Sequence, residues 1–246
     1  MKKVIAATIN ILATAVCLAD APTWSDDDIK ADIIGSSGYV CANGAAIIRN
    51  MRNRALARCE GDTNRFARLL TEVAHTNNVR IASNAIWMLG RYGSAGDLPF
   101  LYSCVTNPAC GNDAVASILN IEGVTSNSVA AVERYLTATN FPSRTQAYNR
   151  ALTCKAFIYD SWKSEVPQPV RSDAMRVVLA FASEVNTSNS IVDEALLTVD
   201  ASYRQSKRRL RVMRAAYPRC FNEFQESYVT NAINELVAYP EADLPE

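Results

Sequence analysis

From Ala45 to Val237 the apolar residues recur at three- and four-residue spacing in one segment after another, and no segment reads convincingly as a strand. That periodicity directs the chain to an all-α fold. Ser25 followed by Asp26, Asp27 and Asp28 is an N-cap with an acidic first turn, so a helix should run from Asp26 to about Ile34. Further helices are predicted over Ala45–Cys59, from Asp62 or Thr63 to the Asn77–Asn78 pair, and over Val79–Tyr92, Asp97–Thr106, Asn112–Ile121 and Ser126–Thr139. The pattern continues over Ser143–Trp162, Val170–Glu184, Ser190–Ala216 and Arg219–Val237. Short Gly, Pro, Asn or Ser punctuation separates them, which suits antiparallel hairpins. Nine Gly and nine Pro in 246 residues are too few for a turn-dense β architecture.

The N-terminus reads as an address rather than part of the fold. Lys2 and Lys3 precede an apolar stretch from Val4 to Ala19 that ends in small residues, the layout of a secretory signal peptide over residues 1–19. Cleavage after Ala19 is preferred to cleavage after Ala21, which would leave Pro22 first. The stretch is shorter than a membrane span, and Thr14, Ala15 and Val16 before Cys17 do not form a lipobox. The mature chain is therefore expected to be exported, to a bacterial periplasm or outside the cell. Removing the leader leaves 23 basic against 25 acidic residues, a balance that excludes a nucleic-acid binder driven by bulk charge. Six cysteines remain, and Cys104 with Cys110 is the candidate disulfide because the Asn107–Pro108 turn folds the chain back between them. A continuous helix would hold Cys41 and Cys59 about 27 Å apart.

Val79, Arg80, Ala82, Ala85, Leu89, Gly90, Gly93, Asp97, Leu98, Pro99 and Leu101 resemble the second helix, turn and next first helix of HEAT-like repeats. Ala82 and Ala85 permit close helix approach, Gly90 and Gly93 end the helix, and Asp97 can cap the next one. A shift of about 30 residues places Val115 on Ala85, Leu119 on Leu89 and Gly123 on Gly93, so a weaker likeness extends over Leu56 to Leu136. The resemblance implies a short α-solenoid of stacked antiparallel hairpins that serves as a binding scaffold. The domain reading is HEAT-like repeats over 20–166, C-terminal helices packing on them over 167–240 after the Pro167 and Pro169 joint, and a flexible tail over 241–246.

The C-terminal part is expected to hold one long helix, Ser190 to Ala216, whose residues Val192, Leu196, Val199, Tyr203, Ser206, Leu210, Met213 and Tyr217 form an apolar seam. Beside the seam, Arg204, Lys207, Arg208, Arg211 and Arg214 make a basic arc, a candidate binding face for an acidic partner: a protein, an acidic glycan or an anionic surface. The competing expectation is a solvated face partly neutralised by Glu223, Glu226 and Glu235.

Other constellations are thinner. His75 is the sole histidine, so no His-rich metal centre is possible, and Glu72 three residues before it lacks the second pair that a diiron site needs. No phosphate-cradling loop or nucleophile elbow is present, and no cofactor is expected. Glu72, Asp97, Glu122, Asp160 and Glu165 are acids without a local signature. The resulting expectation is a non-catalytic binding or scaffold protein. The alternatives are a small all-α hydrolase using paired carboxylates, which needs no histidine, and a homo-oligomeric structural component of the cell envelope.

Overall fold

The computed structural model describes residues 23–37, 44–138, 144–184, 189–220 and 222–245. The expected leader at 1–19, Cys17 and Cys41 lie outside them, as does Asn186–Ser188, which has the Asn-x-Ser pattern of a glycosylation sequon. Among the described residues the secondary structure is entirely helical. The α-helices are α1 (Asp26–Gly35), α2 (Gly44–Arg58), α3 (Thr63–Ala74), α4 (Val79–Tyr92), α5 (Leu98–Cys104), α6 (Gly111–Glu122), α7 (Ser126–Thr137), α8 (Arg144–Ser161), α9 (Gln168–Glu184), α10 (Asn189–Val199), α11 (Lys207–Ala216) and α12 (Glu223–Val237). The all-α expectation holds. No helix among these residues is long and apolar enough to cross a membrane.

Local chemistry sets the helix starts. Ser25 and Asp28 form a capping box on α1, in which each side chain satisfies the other's backbone N–H. Asp62, Asn78 and Asn222 cap α3, α4 and α12 through their side-chain oxygens, and Thr125 and Ser128 make a second box on α7. Gly123 ends α6 with φ of +72°, a conformation that costs other residues a clash at Cβ.

The long helix expected from Ser190 to Ala216 is not formed. The chain leaves helix after Val199, makes a 3-10 turn at Ala201–Tyr203 and restarts at Lys207. Asp200 accepts a hydrogen bond from Ser202 N, and Ser206 accepts one from Arg209 N while donating its hydroxyl to the Tyr203 carbonyl at 2.8 Å. Two caps within seven residues outweigh the continuity of the apolar pattern. The seam residues Val192, Leu196, Tyr203, Ser206, Leu210 and Met213 are buried all the same, whereas Tyr217 is exposed.

One hydrophobic core runs from Ile29 to Ala232 and passes Pro167 without interruption. Successive helices pack together, α1 on α2, α3 on α4, α5 on α6 and α11 on α12. Next-but-one helices also meet: α1 with α3, α4 with α6, α7 with α9, α8 with α10, and α9 with α11. Polar side chains cross several of these seams. Asp26 of α1 binds Arg65 and Arg68 of α3, each at 2.7 Å, and Glu133 of α7 binds Arg176 of α9 at 2.6 Å. Arg52 bonds Asn84 between α2 and α4, Ser83 bonds Asp113 between α4 and α6, and Thr153 bonds Asn112 between α8 and α6. At Gly90 the α4 backbone lies so close to α6 that an added Cβ would stand 2.7 Å from Ser117 Cα.

Within the segment expected to be a flexible tail, Leu244 and Pro245 pack back on α11. Leu244 is buried with Leu210 and Leu236 in a small second cluster, and the Pro245 carbonyl accepts a hydrogen bond from Lys207 N at 2.8 Å.

Candidate functional site

The break before α11 is built around a buried ion pair. Arg209 is 5% exposed and Asp193 of α10 is 1% exposed, and the Arg209 guanidinium meets the carboxylate at 3.1 Å. Tyr228 of α12 donates its hydroxyl to the same Asp193 oxygen at 2.7 Å, and Glu235 of α12 takes the other side of the guanidinium at 3.3 Å. Hydrogen bonds from several partners are what make a buried charge tolerable. Arg209 thus anchors α11 with its opposite face outward.

That outward face carries most of the expected basic arc. Lys207, Arg208, Arg211 and Arg214 stand on α11, with Arg211 and Arg214 exposed and the other two partly so. Arg204 lies before the helix, in the turn after Tyr203, so the arc is a helix face plus one turn residue and not a single continuous helix face. Acids reach it: Asp200 lies 3.6 Å from Arg208, and Glu241 lies 3.0 Å from Arg214. Of the neutralising acids expected on the next helix, Glu235 is turned to Arg209 instead. Arg208 and Asp200 also line a cleft of about 340 Å³ with Trp162, Gln168 and Arg171. At the far end of α11, Tyr217 and Arg219 before α12 and Phe224 in the first turn of α12 are exposed. Arginine with exposed aromatics is the composition that interface cores favour.

Three of the five unassigned acids come together. Glu122, Asp160 and Glu165 line one cleft of about 430 Å³, beside Asn120 and Lys163. Glu122 Oε1 accepts hydroxyl hydrogen bonds from Tyr102 at 2.6 Å and Thr125 at 2.9 Å, and Asp160 is paired with Lys163 at 2.7 Å. Glu72 is held by Lys30 and Arg68, both at 2.6 Å, and Asp97 caps the turn at Ser94. No cluster of three or more metal-ligating side chains forms among the described residues.

The expected disulfide is not formed. Cys104 and Cys110 are free thiols, not at disulfide distance. The Asn107–Pro108 turn does bring the two together. Cys104 closes α5 and Cys110 is the N-cap of α6, and both face a cleft of about 460 Å³ with His75, Phe100, Ser103 and Asn107. The His75 ring lies 4.9 Å from the Phe100 ring, and its Nδ1 is 2.7 Å from the Thr71 carbonyl. The neighbouring Cys110 thiol, helped by Ser103 and by the nearby imidazole, lowers the Cys104 pKa to about 7 against burial, while Cys110 is pushed upward by Cys104 and by burial.

Compared with protein-family models, with curated proteins and with solved structures, the chain matches none.

Proposed function

We propose that the chain is an exported helical-repeat scaffold, HEAT-like in its repeat-bearing part, that binds an acidic protein through Arg204, Lys207, Arg208, Arg211 and Arg214 and performs no chemistry on it. The observation that carries this reading is the packing of several helices on their next-but-one neighbours: α1 with α3, α4 with α6, α7 with α9, α8 with α10 and α9 with α11. A solenoid requires that contact, because each repeat buries its apolar face only against the next. The spacing agrees with the period of about 30 in the sequence: Arg52 reaches Asn84, Ser83 reaches Asp113, and the Ser117 hydroxyl reaches the Ile86 carbonyl.

The basic face supports an acidic partner because Arg209, on the opposite side of α11, fixes the helix by its buried pair with Asp193. A surface so anchored presents its charges without reorganising on binding. Titrating the purified mature chain with a fluorescently labelled polyglutamate peptide tests the reading. Binding that weakens steeply as salt rises supports it, and no binding at low salt would reject it. An acidic glycan and vesicles of anionic lipid serve as comparison probes, and preference for either over the peptide would assign the face to that class instead.

A second reading has one observation in its favour: Glu122, Asp160 and Glu165 share a cleft, as a carboxylate-dependent hydrolase would require. Glycan cleavage that disappears in Asp160→Asn and Glu122→Gln would establish it.

A further inference from the structure

The cleft lined by the end of α3, α4, α5 and the start of α6 has Cys104, Cys110 and His75 among its lining residues. Cys104 is partly exposed and Cys110 is 3% exposed, so a molecule entering the cleft meets Cys104 first. His75 Nδ1 faces a carbonyl that can only accept, so it carries the proton of that hydrogen bond, and Nε2 is left to take up or release another. Cys110 stands at the N-cap of α6 and does not cap it with its side chain, so the positive end of that helix dipole lies at the sulfur pair. Phe100 stacks on His75 and closes the wall.

We propose that Cys104 and Cys110 are a reversible dithiol that accepts small organic disulfides by thiol–disulfide exchange, with Cys104 attacking, Cys110 resolving and His75 carrying the proton. In the first step the Cys104 thiolate forms a bond to one sulfur of R–S–S–R, and the other sulfur leaves as a thiolate that takes a proton. In the second, Cys110 gives its proton to His75 Nε2 and attacks Cys104 Sγ, expelling the second R–S group, which leaves protonated. The sum is two protein thiols and one disulfide going to one protein disulfide and two R–SH. The organic disulfide is reduced by two electrons and the cysteine pair is oxidised by two. The pair is thus a reversible bond in place of the permanent crosslink that the spacing suggests, and the inference is independent of the basic face.

Oxidised glutathione is the probe, used on the full mature chain after native reduction and removal of the reductant, with products read by intact mass and peptide mapping. Wild type should lose two hydrogens, with the new bond mapped to Cys104 and Cys110, and release two reduced glutathiones. Cys110→Ser should stop at one glutathione attached to Cys104, and Cys104→Ser should leave Cys110 unmodified over the same interval. Near neutral pH, Cys104 should react about fivefold or more faster than Cys220, whose pKa burial raises. His75→Gln should move the pH dependence of the wild-type reaction upward without loss of helicity by circular dichroism. Cys104 reacting no faster than Cys220, or a mixed disulfide that persists in wild type, would overturn the proposal. A Cys104–Cys110 bond that resists reduction in the folded protein would overturn it too, by making the pair a structural crosslink.

Discussion

Arg209 and Asp193 meet at 3.1 Å although they stand sixteen residues apart in sequence. On one unbroken helix their Cα atoms would be about 24 Å apart, so the turn at Asp200–Ser206 and the ion pair require each other. Arg209→Met should destabilise the protein by about 3–5 kcal/mol, because it leaves Asp193 buried with its countercharge removed. Asp193→Leu together with Arg209→Met should recover much of that loss. Urea denaturation of the two single variants and the double variant measures both, and additive losses would show that the residues do not act as a pair.

Gly90 sets the approach of α4 to α6. Gly90→Ala places a methyl 2.7 Å from Ser117 Cα, so the helices must separate, at about 1–3 kcal/mol. Gly96→Ala, whose nearest neighbour would be Ser94 Oγ at 3.5 Å, should stay within about 0.5 kcal/mol of wild type. Thermal melts of the two variants side by side make the comparison.

The small cluster of Leu210, Leu236 and Leu244 fastens the chain end to α11. Leu210→Asp should cost several kcal/mol, since it buries an unpaired charge. Leu244→Ala should cost about 2 kcal/mol and speed amide exchange at Lys207, whose N–H is bonded to Pro245. Hydrogen-exchange mass spectrometry of the α11 peptide reads that release, and unchanged protection would mean that the segment does not hold the helix.

Cys104 should show its shifted titration directly. Its pKa falls from 9.0 to about 7, so between those values the folded chain holds a thiolate where the unfolded chain holds a thiol. The stability contributed by Cys104 therefore rises with pH across that window and is lost as the pH falls through about 7. Iodoacetamide labelling of Cys104 should reach half its maximal rate near pH 7, while Cys59 and Cys220, whose pKa values burial raises, label only at higher pH.

Much of the helix map was legible because its signals are local. The start of α4 after Asn78 and the start of α7 after Thr125 follow from cap residues placed before an apolar period. The break in Ser190–Ala216 was not legible from periodicity, since Tyr203, Ser206 and Leu210 continue the seam and are buried as it predicts. Asp200 and Ser206 were visible as possible caps, but what makes them decisive is Asp193 meeting Arg209, a contact made only in the folded chain. The thiol pair shows the same division. The Asn107–Pro108 turn announced that Cys104 and Cys110 would be near, whereas His75 arrives from α3 through its stacking on Phe100, for which the sequence carries no local sign.

The basic face on α11 is where the functional account stands or falls. Arg204, Lys207, Arg208 and Arg211 replaced together by Gln should lower the melting temperature only modestly, because ion pairs at the surface are each worth about 0–1 kcal/mol, the partly buried Arg208–Asp200 pair keeps a polar side chain in Gln, and the anchoring Arg209 is retained. Polyglutamate binding measured on this variant and on wild type, at low and at physiological salt, is the most direct test. The account predicts salt-sensitive binding by wild type and none by the folded variant. Equal binding by the two proteins would contradict it and leave α11 a solvated surface.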